Sequence, residues 1–166
     1  MRPSPSPRKS KGGDPTPADA AQGRQHAVSL LARRDHSRHE LRAKLTRKFG
    51  AASWLDEVLA WCEEQGFLDD RRFAGFFVRS RIERGQGPLR IRAELQQKGV
   101  GEALVTEALG EAECDWFALA SEVLGRRFRH PPADQKEKAK QLRFLQGRGF
   151  DAEQSFHALD QQREQD

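Results

Sequence analysis

Residues 87–99 read GPLRIRAELQQKG. Two glycines, a proline and two arginines in so short a run admit three readings: a phosphate-binding loop, a DNA contact or a helix. The helix reading accounts for every position. Gly87 stands at the cap and Pro88 at the first helical position, where its missing N–H costs nothing. Ile91 and Leu95 lie four apart on one apolar stripe, and Gly99 ends the helix. A phosphate loop fits poorly. The run GQGPLR at 85–90 lacks the GK[ST] ending, and Pro88 removes a backbone donor such a loop needs.

The same helix recurs. Shifting the chain by 50 residues brings Leu45, Leu95 and Leu145 into register, then Lys48, Lys98 and Arg148, then Leu59, Leu109 and Leu159. The matching segments are HELRAKLTRKFG, LRIRAELQQKGV and AKQLRFLQGRGF, and each is flanked by further helical patterns. In the first copy Ser37 and Glu40 form an S-x-x-E capping box before Leu41, Leu45 and Phe49. Gly66 closes a helix, Asp69 caps the next, and Leu68 and Phe73 fit a hydrophobic staple. No run alternates with period two, so strands are not expected. The fold class expected is all-α: three tandem three-helix repeats forming an elongated, curved helical array. The repeats span residues 26–66, 67–112 and 113–166. Units this small bury little alone and gain stability by stacking in a row.

Composition agrees. Of 166 residues, 36% are hydrophobic and 33% charged, which suits several small cores better than one large one. Cys62 and Cys114 form no CxxC pair, so neither a disulfide framework nor a zinc ribbon is expected. No apolar run reaches a membrane span, and the N-terminus lacks the apolar core of a signal peptide. A cytoplasmic, soluble chain with no membrane contact is the expectation. Residues 1–25 hold five of the eight prolines and a net charge of +3. They are expected to form a disordered, basic Pro/Ser-rich tail on which the array does not depend.

Charge alternates along the repeats. Residues 26–50 carry net +5, 51–70 net −6, 71–100 net +6, 101–124 net −6, 125–148 net +6 and 149–166 net −4. Each copy thus has two basic helices and an acidic third. Two readings stand at even weight: local neutralisation by solvated ion pairs, or rows of patches that match a partner whose charge also repeats. Three-helix units resemble helix-turn-helix domains, in which the last helix enters the major groove. Here that helix bears Asp56, Glu57, Glu63 and Glu64 in the first copy, which phosphates would repel. Phosphate contacts from arginines of the basic helices remain open.

No constellation points to catalysis, and no cofactor or metal site is expected. Asp69 and Asp70 stand at a helix start and read as caps. His36 and His39 read as surface histidines without further ligands. Cys62 reads as a small core residue, and Trp54, Trp61 and Trp116 chiefly as packing groups.

The segments GFLDDRRFA (66–74), GPLRIRAELQQKGV (87–100), LARRDHSRHELRAKL (31–45) and RFLQGRGFDAEQSFHAL (143–159) together resemble the RecX family of recombinase regulators. The matching positions are Arg34, Ser37, Glu40 and Leu45, then Gly66, Phe67, Asp70, Phe73 and Ala74, then Gly87, Arg90, Ile91, Glu94, Leu95, Lys98 and Gly99. Phe67 stands where the family often has tyrosine, and RHPPADQKEKAK (129–140) makes a longer joint in copy three. The resemblance implies a protein that binds the RecA filament along its groove. It implies inhibition of ATPase, strand exchange and stimulated repressor cleavage. Contact with single- or double-stranded DNA is the alternative, and a monomer is expected. The candidate contact residues on the basic helices are Arg33, Arg34, Arg71, Arg72, Arg79, Arg81, Arg84, Arg90, Arg92, Lys98, Arg126 and Arg127.

The repeat register makes a direct prediction. Leu95→Ala should destabilise the protein by about 2–5 kcal/mol in urea denaturation, as for a buried leucine. A loss of a few tenths would put that stripe in water.

Overall fold

The computed structural model describes residues 17–165, with side chains from residue 19. Among them are nine helices and no strand: α1 Pro17–Arg33, α2 Arg38–Phe49, α3 Leu55–Glu64, α4 Asp70–Glu83, α5 Pro88–Gln97, α6 Glu102–Glu111, α7 Trp116–Arg127, α8 Gln135–Arg148 and α9 Ala152–Glu164. The local signals act as read. Ser37 and Glu40 form a reciprocal capping box, and Asp69 accepts from the Arg72 N–H. Gly87 caps α5 with Pro88 in its first turn.

The start of α1 corrects the expected tail. Residues 17–25, assigned to disorder by their proline content, belong to a helix, and residues 1–16 lie outside the described residues. The run ADAAQ has the alanines of a helix former with an acid in its first turn. Gly23 is in contact with the Trp54 ring, and Ala20 packs on the first core. Cutting the chain at residue 22 would therefore remove part of the array's first helix.

Each triplet has its own core. The shifted leucines Leu45, Leu95 and Leu145 are all fully buried, one per core. All the substantial helix-on-helix packing falls within a triplet: α1–α2–α3, α4–α5–α6 and α7–α8–α9. The molecule is thus a row of three small cores, joined in part by contacts between successive middle helices.

Those contacts repeat with the sequence. The Ser37 hydroxyl, at the start of α2, donates to the Lys98 carbonyl at the end of α5 (2.6 Å). Fifty residues on, the Gly87 N–H at the start of α5 donates to the Arg148 carbonyl at the end of α8 (2.7 Å), and the Leu89 N–H donates to Gly149 (3.0 Å). The second joint pairs N–H groups at the start of one helix with carbonyls at the end of the next, and at the first the Ser37 hydroxyl takes the donor's place. The second joint leaves no room for a side chain. A Cβ on Gly87 would lie 2.4 Å from backbone atoms of Gly149. Gly149, at φ +100°, faces Arg90 Cβ across a gap that a methyl would close to 2.3 Å.

Gly87→Ala should therefore cost about 1–3 kcal/mol in urea denaturation, the usual penalty of overpacking. Gly147→Ala, inside α8 with open space around it, should gain up to about 1 kcal/mol from helix propensity. Equal effects from the two would mean that the joint is loose.

Candidate partner-binding groove at the first joint

The first joint is built from side chains. Around the Ser37–Lys98 bond, the Lys98 ammonium lies 3.3 Å from Glu40, and Arg34 reaches the same carboxylate oxygen at 3.1 Å. Burial pushes the Glu40 acid up, but the Arg34 and Ser37 hydrogen bonds and the Lys98 charge win and hold it below its ordinary value. Arg72 bridges Asp35 (3.3 Å) and the Gly66 carbonyl (2.9 Å). Asp70, on the first turn of α4, accepts from the Arg38 N–H (2.7 Å) and so caps α2 from the neighbouring repeat. Burial pushes its carboxyl up despite that bond.

His36 is a correction. Expected on the surface, it is 2% exposed at the turn into α2. Its Nε2 lies 2.7 Å from the Lys44 ammonium and its Nδ1 3.0 Å from the Arg34 carbonyl. An ammonium only donates, so Nε2 accepts and the Nδ1–H donates to Arg34: the ring is neutral. Burial holds its pKa down, and the Arg34 and Lys44 charges add to the effect. No sequence pattern signals this burial, because the ring stands on a turn outside any apolar stripe.

Beside this joint opens a groove of about 350 Å³. Arg34, Asp35 and Glu40 come from repeat 1; Phe73, Phe76, Phe77, Ser80, Arg81, Arg84 and Lys98 come from repeat 2. Phe76 is 55% exposed, with the Arg79 guanidinium 4.8 Å from its ring centre. Arg81 lies over Phe77 at 4.4 Å and pairs with Glu94 at 3.0 Å. The groove thus offers stacked aromatic faces rimmed by guanidinium groups, a surface suited to a chain that is acidic and partly apolar. The phenylalanines were absent from the candidate list. Phe76 does break phase with the buried positions Phe73, Ala74 and Val78 of its helix.

Of the twelve candidate cations, the groove gathers Arg34, Arg81, Arg84 and Lys98, with Arg79 at its edge. Several others are tied into the fold. Arg71 pairs with Glu107 (3.2 Å), Arg72 with Asp35, Arg90 with Glu94 (3.0 Å) and Arg92 with Glu102. Arg33 and Arg127 make no ion pair among the described residues, and Arg126 pairs only with Glu122 on its own helix. They stand apart from the groove, at the ends of α1 and α7.

The acidic helices do neutralise their neighbours in copies one and two. Glu57, Glu63 and Asp56 take Arg24, Arg38 and Arg42, while Glu107 and Glu102 take Arg71 and Arg92. Copy three differs. Lys136, Lys138, Lys140 and Arg143 have no carboxylate partner among the described residues; Lys138 and Lys140 instead lie over Phe156 and Phe128.

Three separate helical triplets in a row, with an arginine- and phenylalanine-lined groove at a joint, define a tandem three-helix-repeat protein whose distinctive surface suits a partner chain. Family models described as RecX, first, second and third three-helix domain match residues 24–53, 69–109 and 113–159. The chain belongs to the RecX family. It is 50% identical over 132 residues to a protein of Halorhodospira halophila named Regulatory protein RecX, covering 79% of this chain and 82% of that one. A Vibrio vulnificus protein of the same name is 46% identical over 134 residues, covering 80% and 88%. The crystal structure of RecX from Lactobacillus salivarius superposes with a TM-score of 0.75 over 89% of this chain and 99% of that one; at 21% identity it shows the shared fold. No helix of the described residues is long and apolar enough to cross a membrane.

The joint's chemistry predicts an acid response. A buried neutral histidine stabilises the fold fully above its unfolded pKa, near 6.5, and that stability is lost as pH falls below it. Glu40 adds a second loss below its ordinary value of 4.5. The melting temperature should thus fall between pH 7.5 and 5.5 in the native protein and fall less in His36→Gln. Parallel curves would show that protonation of His36 is not coupled to folding.

Proposed function

We propose that this protein regulates RecA recombinase by binding in the groove of the RecA–DNA filament, suppressing its ATPase, strand exchange and coprotease activities. Membership of a family whose relatives are named regulatory proteins supports this reading. The observation that carries it is the groove at the first joint. Arg34, Glu40, Phe73 and Lys98, which line it, stand at positions the family motif picks out, and cations from two repeats converge there on the aromatic rings of α4. An elongated row of joints follows an extended partner better than a compact body does.

A second reading, direct binding to DNA, is favoured by copy three. Its lysines and Arg143 lack carboxylate partners among the described residues, and such a face suits phosphates. The two readings separate by salt. A steep salt slope on bare DNA, with no gain in affinity for the RecA filament, would favour DNA alone.

The groove is tested at cations that the fold does not employ. Arg81 and Arg90 both hold Glu94, so reversing them would disturb packing. Arg79 and Arg84 make no ion pair among the described residues. The double variant Arg79→Glu, Arg84→Glu should keep native circular dichroism and lose at least about tenfold in inhibition of RecA's DNA-dependent ATPase, the effect of losing about 1.4 kcal/mol. Glu64→Lys, on the acidic third helix, should inhibit normally. The reverse pattern would make the acidic row the contact face.

A further inference from the structure

The two internal joints leave one unused end of each kind. The starts of α2 and α5 are seated on the ends of α5 and α8, so the exposed start of α8 and the end of α2 have no counterpart among the described residues. Three glycines with positive φ mark the ends of the middle helices. Gly99 is covered by His39 and Gly149 by Arg90, whereas among the described residues nothing lies within 4 Å of where a Cβ on Gly50 would stand. A groove of about 330 Å³ adjoins this bare end, lined by Gln22, Gln25, His26, Ser29, Lys48 and Phe49.

The charged groups at the two unused ends correspond to those of the first joint. There, Lys98 at the helix end takes the carboxylate of Glu40, three residues after the cap Ser37. Lys48 is the counterpart of Lys98 at a shift of 50. It makes no ion pair among the described residues and lies only against His26 (3.4 Å) and the Phe49 ring. At the start of α8, Asp134 is the cap and Glu137 stands three residues later. The Asp134 carboxylate is turned onto the Glu137 N–H of its own helix (2.8 Å), away from any incoming carbonyl. Glu137 is exposed and held only by the Ala133 N–H (2.7 Å).

We infer that the start of α8 in one molecule docks on the end of α2 in a second copy, with Glu137 against Lys48, so that molecules join end to end and continue the row of middle helices. The two surfaces differ, so the contact is head-to-tail and leaves a free end at every step, giving open chains and not closed dimers. Lys136 and Lys138 approach Arg47 and Lys48 across the contact. At the second internal joint Arg90 likewise packs against Gly149, and its guanidinium is taken up by Glu94. A contact resting on so few groups is weak, so dilute protein is monomeric and chains form only where copies are crowded. This inference is independent of the RecA reading, because it concerns the chain alone.

The test is sedimentation of the full chain without DNA or other protein. Its weight-average mass should rise with concentration up to about 1 mM, near the Kd expected of so small a contact. Lys48→Glu and Glu137→Lys should each remain monomeric over that range with native circular dichroism, and the double variant should recover association. A wild-type protein that stays monomeric overturns the proposal. So do single variants that associate as the wild type does, or a folded double variant that fails to recover.

Discussion

The array depends on the meeting of helix ends. Every α-helix leaves its first N–H groups and last carbonyls without partners. In this protein the middle helices satisfy part of that need in one another, α2 on α5 and α5 on α8. The arrangement also aligns their dipoles head to tail, the favourable sense. Because the three cores share little apolar surface, these few polar contacts decide how the triplets stand relative to one another. Glycine at Gly87 and Gly149 is a requirement of that meeting. The apolar stripe of Ile91 and Leu95 is needed only within its own core.

Charge has two distinct uses in the molecule. In the first two copies the acidic third helix takes up arginines of the basic pair, so much of the alternation seen in the sequence is internal neutralisation. Pairs this exposed add little stability. What they do is remove Arg71 and Arg92 from the pool of available cations. Of the cations at the first groove, Arg79 and Arg84 stay unpaired among the described residues, as do the lysines of copy three. A functional reading of a basic helix therefore turns on which arginines its neighbours have already engaged.

Much of the fold was legible in the residues, because its determinants are local. The S-x-x-E box at Ser37, the Gly-Pro start at 87–88 and the leucines repeating at 45, 95 and 145 each fix a helix within a few residues of themselves. The start of α1 was not legible: proline content suggested disorder, while the contact that fixes Gly23 is with Trp54, thirty-one residues away. His36 was misplaced although its partners, Lys44 and the Arg34 carbonyl, are near in sequence, because no helical period marks a turn residue as buried. Of the groove, the cations were visible as a class, but not the sorting of free from engaged ones, which needs the positions of Glu40, Glu94 and Glu102. Phe76 left a trace in its broken phase on α4.

The two joints differ in composition. The first adds ion pairs of flexible side chains, Arg34 and Lys98 on Glu40 and Arg72 on Asp35, to its hydrogen bonds, so salt that screens those pairs weakens it. The second is made of main-chain hydrogen bonds between glycine-bearing turns, with no slack for a methyl group. Salt therefore bears on the seat of repeat 1 more than on that of repeat 3.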